Sequence, residues 1–334
     1  MWVAVALPLL PPVTLGQTRA QKRAEDYDKA ARATVLHDAN VYVAADADAQ
    51  KISLVTPGHE VVVMERNGPW VKVFANTDVQ DDAREEDENK PEFGEDANVT
   101  PASGWIRDKG VVGPPTPGGD AILFGSAANF EEEAEQPHAP KGAAGFAHLL
   151  YRRVYEYFPD SSLAPEAAWR SADIRWQLDK RDISTLPSAK EQEAYLRPQL
   201  YEGELKKVMK MYPGTRFAAL AAYDLLDNKL CGDWQGSPKC PDKEAAMYEK
   251  YVKEHPESPA APEALYDDAW RRAALIEIYK TEEQSKKSDQ SKSLAISLAQ
   301  QLISKYPQSD WSSRGQTLLF LVQQGVPTYG NVIQ

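Results

Sequence analysis

Two cysteines are the residues in this 334-residue chain whose chemistry depends most on their surroundings. Cys231 and Cys240 are the only cysteines, and they enclose a short loop with the turn residues Gly232, Gly236 and Pro238. A nucleophilic cysteine needs a base beside it, and no histidine accompanies Cys231 in the sequence. An oxidising compartment would favour a disulfide across the loop; free buried thiols are the next alternative, and a metal site the last.

Motifs for other kinds of catalysis are absent from the sequence. It has no Gly-x-x-x-x-Gly-Lys phosphate loop, no His-Glu-x-x-His zinc motif and no Gly-x-Ser-x-Gly nucleophile elbow. We therefore expect no catalytic, cofactor-binding or metal-binding residues, and we interpret the chain as a non-enzyme. The formal net charge of −12 also disfavours nucleic acid as a partner, because nucleic acid is bound by basic surfaces.

Aromatic side chains are the other residues that could form a site. Five of them fall on one class of predicted helix, where they would either fill the space between helices or line a groove for a peptide. These groove candidates are Trp169, Trp176, Tyr223, Tyr266 and Trp270. The sequence leaves both interpretations open.

The helices that carry these aromatic residues follow a proline motif that occurs four times. In each copy an apolar helical face ends at a proline, and a Ser or Thr two residues later can cap the next helix. The turn residues are Pro159 and Ser161, Pro213 and Thr215, Pro256 and Ser258, and Pro307 and Ser309. A small residue stands eight positions after each proline: Ala167, Ala221, Ala264 or Gly315. The pattern predicts helical hairpins that stack into an α-solenoid.

Two stretches of this motif resemble the tetratricopeptide-like repeats of Gram-negative envelope proteins. They are Tyr306-Pro307-Gln308-Ser309, and Ser258 followed by Ala261 and Ala264. The families with this pattern are the outer-membrane β-barrel assembly lipoprotein and the Tol-Pal coordinator. The resemblance implies an all-α, tetratricopeptide-like solenoid at residues 143–326 that docks envelope proteins.

Residues 33–112 change from helical spacing to short runs rich in Val, Ile, Tyr and Trp. Strands are predicted at 40–43, 51–55, 60–66, 70–74 and 104–108. Asn67-Gly68 is a strong signal for a hairpin turn, since glycine tolerates positive φ. These strands predict a small, partly closed β-barrel.

The order of signals in this region resembles a bacterial Src-homology-3-like domain. The hallmark residues lie in Asn67-Gly68-Pro69-Trp70 and Gly104-Trp105-Ile106 and are Asn67, Gly68, Trp70, Gly104 and Trp105. The resemblance implies contact with peptidoglycan or its peptides. The family's Arg-x-Gly-Pro after the first strand is replaced here by Ala44-Ala45-Asp46-Ala47.

Three segments flank or interrupt these domains. Residues 1–20 contain an apolar run typical of a signal peptide, with a disordered N-terminus as the alternative, and no cysteine follows that would carry a lipid anchor. Within the barrel, the insertion 77–103 holds ten Asp or Glu between positions 78 and 96 and is expected to be a solvated loop. Residues 113–142 have the Pro, Gly and Glu content of a linker between two separate cores, with an apolar patch at 121–124.

The sequence thus predicts a multidomain protein with a small all-β barrel before an all-α solenoid. We expect a non-catalytic scaffold or adaptor in the periplasm of a Gram-negative bacterium, acting in outer-membrane assembly or envelope coordination. Its partners would be envelope proteins on the helical array and peptidoglycan on the barrel. The alternatives are an accessory substrate-binding subunit of a cell-wall hydrolase and a purely structural spacer.

Overall fold

The computed structural model describes residues 31–79 and 99–330. The expected signal peptide and most of the acidic insertion lie outside these ranges. Within them, a curled antiparallel sheet is followed by nine α-helices. None of the helices in the two ranges has the length and apolar character that a membrane span requires.

The sheet has seven strands in the order β3-β2-β6-β5-β4-β1-β7. They are β1 (Arg32–Val35), β2 (Ala39–Tyr42), β3 (Lys51–Val55), β4 (Glu60–Asn67), β5 (Trp70–Ala75), β6 (Ala102–Arg107) and β7 (Val111–Val112). Strands β2 to β6 overlap the five predicted ones. Strands β1 and β7 were not predicted, because three successive buried residues in β1 and only two residues in β7 give no alternating pattern.

Alternation along the central strands separates a core face from an outer face. Val71 and Val73 of β5 and Ile106 of β6 are fully buried, whereas their neighbours Lys72 and Arg107 lie on the other face. Gly104 belongs to the core face and must be glycine, because a Cβ there would lie 2.6 Å from the carbonyl oxygen of Tyr42.

The helices occupy the rest of the described chain. They are α1 (Gly119–Ala134), α2 (Ala143–Tyr157), α3 (Ala164–Ser184), α4 (Gly203–Met211), α5 (Arg216–Asp224), α6 (Lys239–Glu254), α7 (Ala261–Thr281), α8 (Ser285–Lys305) and α9 (Asp310–Gln324). Helices α2 and α3, α4 and α5, α6 and α7, and α8 and α9 pack as successive pairs. We call α3, α5, α7 and α9, which follow the proline turns, the second helices.

The four proline turns share one backbone geometry. The residue before each proline is the C-cap of its helix, with φ between −125° and −130° and ψ between 53° and 60°. Thr215 and Ser309 are N-caps of the following helices. Ser161 and Ser258 are not, because α3 and α7 begin three residues later with a proline in the first turn; their hydroxyls instead accept the amides of Leu163 and Ala260.

The small residues of the motif lie where paired helices touch. Ala167, Ala221 and Ala264 have no exposed surface. A Cβ at Gly315 would lie 2.8 Å from a methyl carbon of Leu302 on the partner helix. The recurring small residue therefore sets the close approach within each pair.

The range with linker composition, 113–142, contains a helix of 16 residues, α1. Its prolines and paired glycines stand only at the two ends, which leaves 120–134 free of proline and with Gly125 as its single glycine. Leu123 and Ala127 are fully buried, and Phe124 meets Tyr151 edge-to-face with ring centroids 5.1 Å apart. Helix α1 is thus an extra layer on α2 rather than a flexible connection.

Sheet and helices meet in a buried interface that the sequence did not predict. Arg153 of α2 donates from Nε to the carbonyl oxygen of Gly58 at 2.8 Å and pairs through Nη2 with Asp78. Tyr157 donates to the carbonyl oxygen of Ala33 at 3.0 Å. A Cβ at Gly58 would lie 2.4 Å from Cβ of Leu149, so the two backbones are in direct contact. We call Gly58, His59, Asp78, Arg153 and Tyr157 the Arg153 joint.

Asp78 was expected to be a solvated residue at the start of the acidic insertion. It is buried instead, at 6% exposure, with His59 Nδ1 3.2 Å from its Oδ2. Burial alone would raise the pKa of Asp78, but Arg153 and His59 hold it well below its ordinary value. The joint therefore contains an ionised carboxylate that depends on its cation, and the sheet and the helices share this core.

Candidate functional site

The second helices, with Asp227 in the 3-10 turn after α5, carry a surface of aromatic rings and carboxylates that crosses from α3 to α9. Its members are half-buried: neither enclosed in the core nor fully exposed. The rings are Trp169, Phe217, Tyr223, Tyr266 and Trp311, and the carboxylates are Asp173, Asp224, Asp227, Glu263 and Asp267. We call this set the acidic aromatic row.

Helical spacing places the first part of the row. Trp169, Asp173, Trp176 and Lys180 stand four, three and four positions apart on α3 and so share one side of that helix. Trp176 is only 1% exposed and fills the core beneath, while Trp169 stays half-buried above it. The row is therefore the outer edge of the packing between second helices.

Aromatic donors on α3 and α5 form hydrogen bonds with acidic side chains further along the chain. Trp169 Nε1 donates to Asp224 Oδ2 at 3.2 Å, and Trp176 Nε1 donates to Asp227 Oδ2 at the same distance. Between α5 and α7, the Tyr223 hydroxyl donates to Asp267 Oδ2 at 3.2 Å. These bonds fix the rings and hold the carboxylates at the surface.

Ring contacts extend the row at both ends. Trp169 stacks on Phe217 with ring centroids 6.2 Å apart, and Tyr266 meets Trp311 at 5.2 Å. The guanidinium of Arg314 lies over Trp311 at 4.3 Å from the ring centroid. The row thus offers several flat apolar surfaces beside its charges.

The surroundings of the row disfavour the ionised form of its carboxyl groups. Burial and the neighbouring carboxylates of Asp173 and Asp227 raise the pKa of Asp224 to about 8. Burial also raises the pKa of Asp173, and burial together with Asp267 raises that of Glu263. In the free protein these groups hold protons more tightly than they would in water.

Only part of this negative charge is paired. Asp227 pairs with Lys180 at 2.8 Å, and Asp267 pairs with Arg271 at 2.7 Å. In the described part of the chain, Asp173, Asp224 and Glu263 have no ion-pair partner. No three His, Cys, Asp or Glu side chains in the same ranges converge as they would around a metal ion. The arrangement suits recognition of organic cations spread along a line.

The five groove candidates fall into three groups. Trp169, Tyr223 and Tyr266 belong to the row, and Trp176 lies in the core. Trp270 packs elsewhere, with its ring centroid 5.2 Å from that of Trp234. Sequence reasoning missed the carboxylates, although the pairs Tyr223-Asp224 and Tyr266-Asp267 repeat at matching places on α5 and α7 and could have signalled them.

Trp270 belongs to a separate aromatic cluster around the cysteines. Cys231 and Cys240 form a disulfide with their Cα atoms 6.0 Å apart. The buried carboxylate of Glu244 accepts from the Cys231 amide at 2.9 Å and from Trp234 Nε1 at 3.2 Å. The Cys231–Cys240 loop is therefore part of the structural framework beside α6 and α7.

A second surface with aromatic rings lies on the outer face of the sheet, and we call it the cationic aromatic face. It consists of Tyr42, Trp70, Lys72, Trp105 and Arg107. Cross-strand pairing sets Lys72 opposite Trp105 and Trp70 opposite Arg107. The Arg107 guanidinium lies 4.0 Å from the centroid of Trp70, and Lys72 Nζ lies 5.9 Å from that of Trp105.

The hallmark residues of the sheet divide between this face and its framework. Trp70 and Trp105 lie on the outer face. Asn67 ends β4 opposite Trp70, and the β4–β5 turn consists of Gly68, at φ 56°, and Pro69. The face is able to receive a carboxylate on its cations while its rings contact apolar groups. No protein-family model matches the chain, and no curated protein is significantly similar to it.

Proposed function

We propose that this protein is a non-catalytic adaptor of the Gram-negative cell envelope. In this proposal the sheet is a Src-homology-3-like domain that contacts peptidoglycan peptides. The helices are a tetratricopeptide-like array that docks a protein partner in outer-membrane assembly or envelope coordination. The observation that carries the proposal is the acidic aromatic row, because a row of fixed, half-buried rings is what a docking surface for a polypeptide requires.

The cationic aromatic face supports the peptidoglycan half of the proposal. Peptidoglycan peptides carry free carboxylates, and Lys72 and Arg107 are cations without an ion-pair partner among the described residues. The half-buried rings of Tyr42 and Trp105 beside them add apolar contact area. Since the whole chain carries a net charge of −12, a local cationic face is a specific feature and not an average property.

The Cys231–Cys240 disulfide supports the location in the periplasm. Disulfides persist in oxidising compartments, and the bacterial periplasm is one of them. The apolar run at residues 1–16, outside the described residues, fits export as a signal peptide.

Co-sedimentation of the purified full chain with isolated peptidoglycan sacculi tests the first half. We expect the chain to sediment with sacculi, and the charge reversals Lys72→Glu and Arg107→Glu together to weaken this about tenfold or more, since like charges would meet across the contact. Lys286→Glu, an exposed lysine on α8 and so away from the sheet, is the control. Equal sedimentation of all three proteins would exclude the cationic aromatic face as the wall contact.

Affinity capture from cell envelopes tests the second half. Recovery of barrel-assembly or Tol-Pal components with the full chain, reduced by substitutions in the acidic aromatic row, would support the adaptor. Recovery of a cell-wall hydrolase in their place would support the alternative of an accessory substrate-binding subunit.

A further inference from the structure

The acidic aromatic row has more carboxylates than paired cations, and this imbalance indicates the charge of the ligand that it binds. Its five carboxylates face two ion-pair partners, Lys180 and Arg271. Arg271 is also held by the buried Glu244, with Nε 3.0 Å from Oε2, so it cannot turn to the others. A bound cation would relieve the repulsion that Asp173 and Asp227 exert on Asp224.

The rings indicate that this cation belongs to a larger molecule. Trp169 with Phe217 at one end and Tyr266 with Trp311 at the other flank the unpaired carboxylates. A small inorganic cation would leave these rings uncovered. Alkyl stems of lysine and guanidinium groups of arginine pack well on aromatic surfaces while their charges reach carboxylates.

We propose that the acidic aromatic row binds an extended segment of a partner protein that carries several lysines or arginines. The proposal rests on the docking role given above to the helical array and adds the chemistry of its partner. Charge complementarity favours a basic segment as the ligand. The line of rings across four helices favours an extended rather than a compact ligand.

The binding should release protons. Asp224 is surrounded by Asp173 and Lys180 of α3, by Asp227, and by the Tyr251 hydroxyl of α6. A cation beside this group lowers its pKa from about 8, so a basic ligand prefers the ionised form. Affinity should therefore rise between about pH 6 and about pH 8.5 and level off above that range.

The test uses the full chain and a synthetic peptide of about twelve residues, which spans about 40 Å when extended and so reaches across four helices about 10 Å apart. In the basic peptide, lysine or arginine alternates with leucine and glycine. In the matched peptide, glutamate replaces every basic residue. Affinity is measured by fluorescence anisotropy in each protein variant and at several values of pH.

We expect the basic peptide to bind and the acidic peptide not to bind. Asp224→Asn and Glu263→Gln should each weaken the basic peptide about fivefold to tenfold, the usual effect of one charge at a contact. Asp289→Asn, which removes the same charge from the exposed side of α8, should change nothing. Both row variants keep the size of the side chain, and a thermal melt verifies that they are folded.

The acidic insertion is a competing site for any basic peptide. A variant with the Asp and Glu residues between 81 and 96 changed to Asn and Gln should retain the binding and its dependence on Asp224. The proposal would be overturned if the peptide no longer bound to that variant and if Asp224→Asn, made in the otherwise unchanged chain, had no effect on binding.

Two other outcomes would also overturn it. Equal binding of both peptides would show that the row recognises apolar groups and not charge. Concentration-dependent dimers that Asp224→Asn or Arg107→Glu dissociates would show that the row receives the cationic aromatic face of a second copy. If the peptide did not bind but the chain still sedimented with sacculi and captured partners, only this inference would be wrong. If the chain failed in all three experiments, the proposed adaptor role would be wrong as well.

Discussion

The sheet and the second helices both display aromatic rings at the surface, but they surround them with opposite charges. On the sheet, Arg107 and Lys72 lie over the faces of Trp70 and Trp105. On the helices, Trp169 and Tyr223 use their N–H and O–H groups to hold the carboxylates of Asp224 and Asp267. In the first case the negative face of the ring is used, and in the second its polar edge.

This difference shows that the presence of aromatic residues near the surface does not by itself define a partner. The rings supply contact area in both places, and the neighbouring charges decide what can be bound. On the same chain one surface suits carboxylates and the other suits cations. An adaptor that joins two unlike partners would need such a pair of surfaces on one chain.

The comparison depends first on the Arg153 joint, which holds the two surfaces together. Arg153→Met would leave the buried carboxylate of Asp78 without its guanidinium partner, whereas Glu156 would keep its ion pair with Arg152. We expect the full chain to lose about 3 to 5 kcal/mol of unfolding free energy, the usual cost of removing one partner of a buried ion pair. Urea titration, followed by circular dichroism and by tryptophan fluorescence, measures this loss.

The control for the joint is Arg66→Met, which breaks the pair between Arg66 and Asp108 on the sheet. The Arg66 side chain is 52% exposed, so this change should cost less than about 1 kcal/mol. In the wild type both probes should follow one transition, because sheet and helices share the joint. Two separate transitions, with Arg153→Met affecting neither midpoint, would show two independent domains and contradict the shared core.

The second prediction separates the row from the structural aromatic cluster beside it. Reduction of the Cys231–Cys240 disulfide, or replacement of both cysteines by serine, should cost about 2 to 3 kcal/mol through the chain entropy of the opened loop. Trp234 and Trp270 should become more accessible to acrylamide quenching. Binding of the basic peptide should change little, because the link from the loop to the row runs through the ion pairs of Arg271 with Glu244 and Asp267, and these do not include the cysteines. A loss as large as that expected for Asp224→Asn would place the loop within the site.

Local sequence patterns predicted much of this fold. The rest depends on contacts between segments that are distant in the sequence, and these could not be predicted. Alternating residues located β2 to β6, and the proline turns located four helix pairs, because both signals lie within a few neighbouring residues. Helix α1 was hidden because the prolines at both of its ends dominate the composition of the range. The Arg153 joint could not be foreseen, since Arg153 and Asp78 are 75 positions apart and nothing local marks them as partners.

The same limit applies to the acidic aromatic row. Trp169, Tyr223 and Tyr266 were recognised as site candidates from their residue types and helices. Their acceptors were not, because the bond between Trp169 and Asp224 depends on how two helices pack. Whether a ring lies in the core, as Trp176 does, or at its edge, as Trp169 does, is decided by that packing as well.

The third prediction tests whether the negative charge of Asp224 destabilises the folded protein. Between about pH 4 and about pH 8 the folded chain holds a proton on Asp224 that the unfolded chain has already released, so stability falls as pH rises through this range. Asp224→Asn removes the loss and keeps an acceptor for Trp169. We expect it to raise the unfolding free energy by about 1 to 2 kcal/mol at pH 8, well below the full value of the pKa shift, because water screens a half-buried group.

Thermal melts at about pH 5 and about pH 8 measure this gain. Asp224→Asn should melt higher than the wild type at the upper pH and nearly the same at the lower one, because Asp224 is protonated there in the folded state. Asp289→Asn should show neither effect. A variant that is less stable at the upper pH would mean that the Asp224 charge supports the fold, which would remove the reason to expect a bound cation.

The smallest expected effect concerns the cation on the sheet. A double-mutant cycle with Arg107→Ala and Trp70→Leu should give a coupling energy of about 0.5 to 1 kcal/mol, the usual value for a solvent-exposed cation over an aromatic ring. Arg107 is exposed, and Trp70 beneath it is buried. The corresponding cycle for Lys72 and Trp105 should give less, since Nζ lies 5.9 Å from the ring centroid and Arg107 lies at 4.0 Å. A zero coupling for Arg107 would mean that the guanidinium is not held on Trp70. The cation would then have to be ordered when a carboxylate binds, and the sheet would lack the fixed geometry that distinguishes it from a merely basic surface.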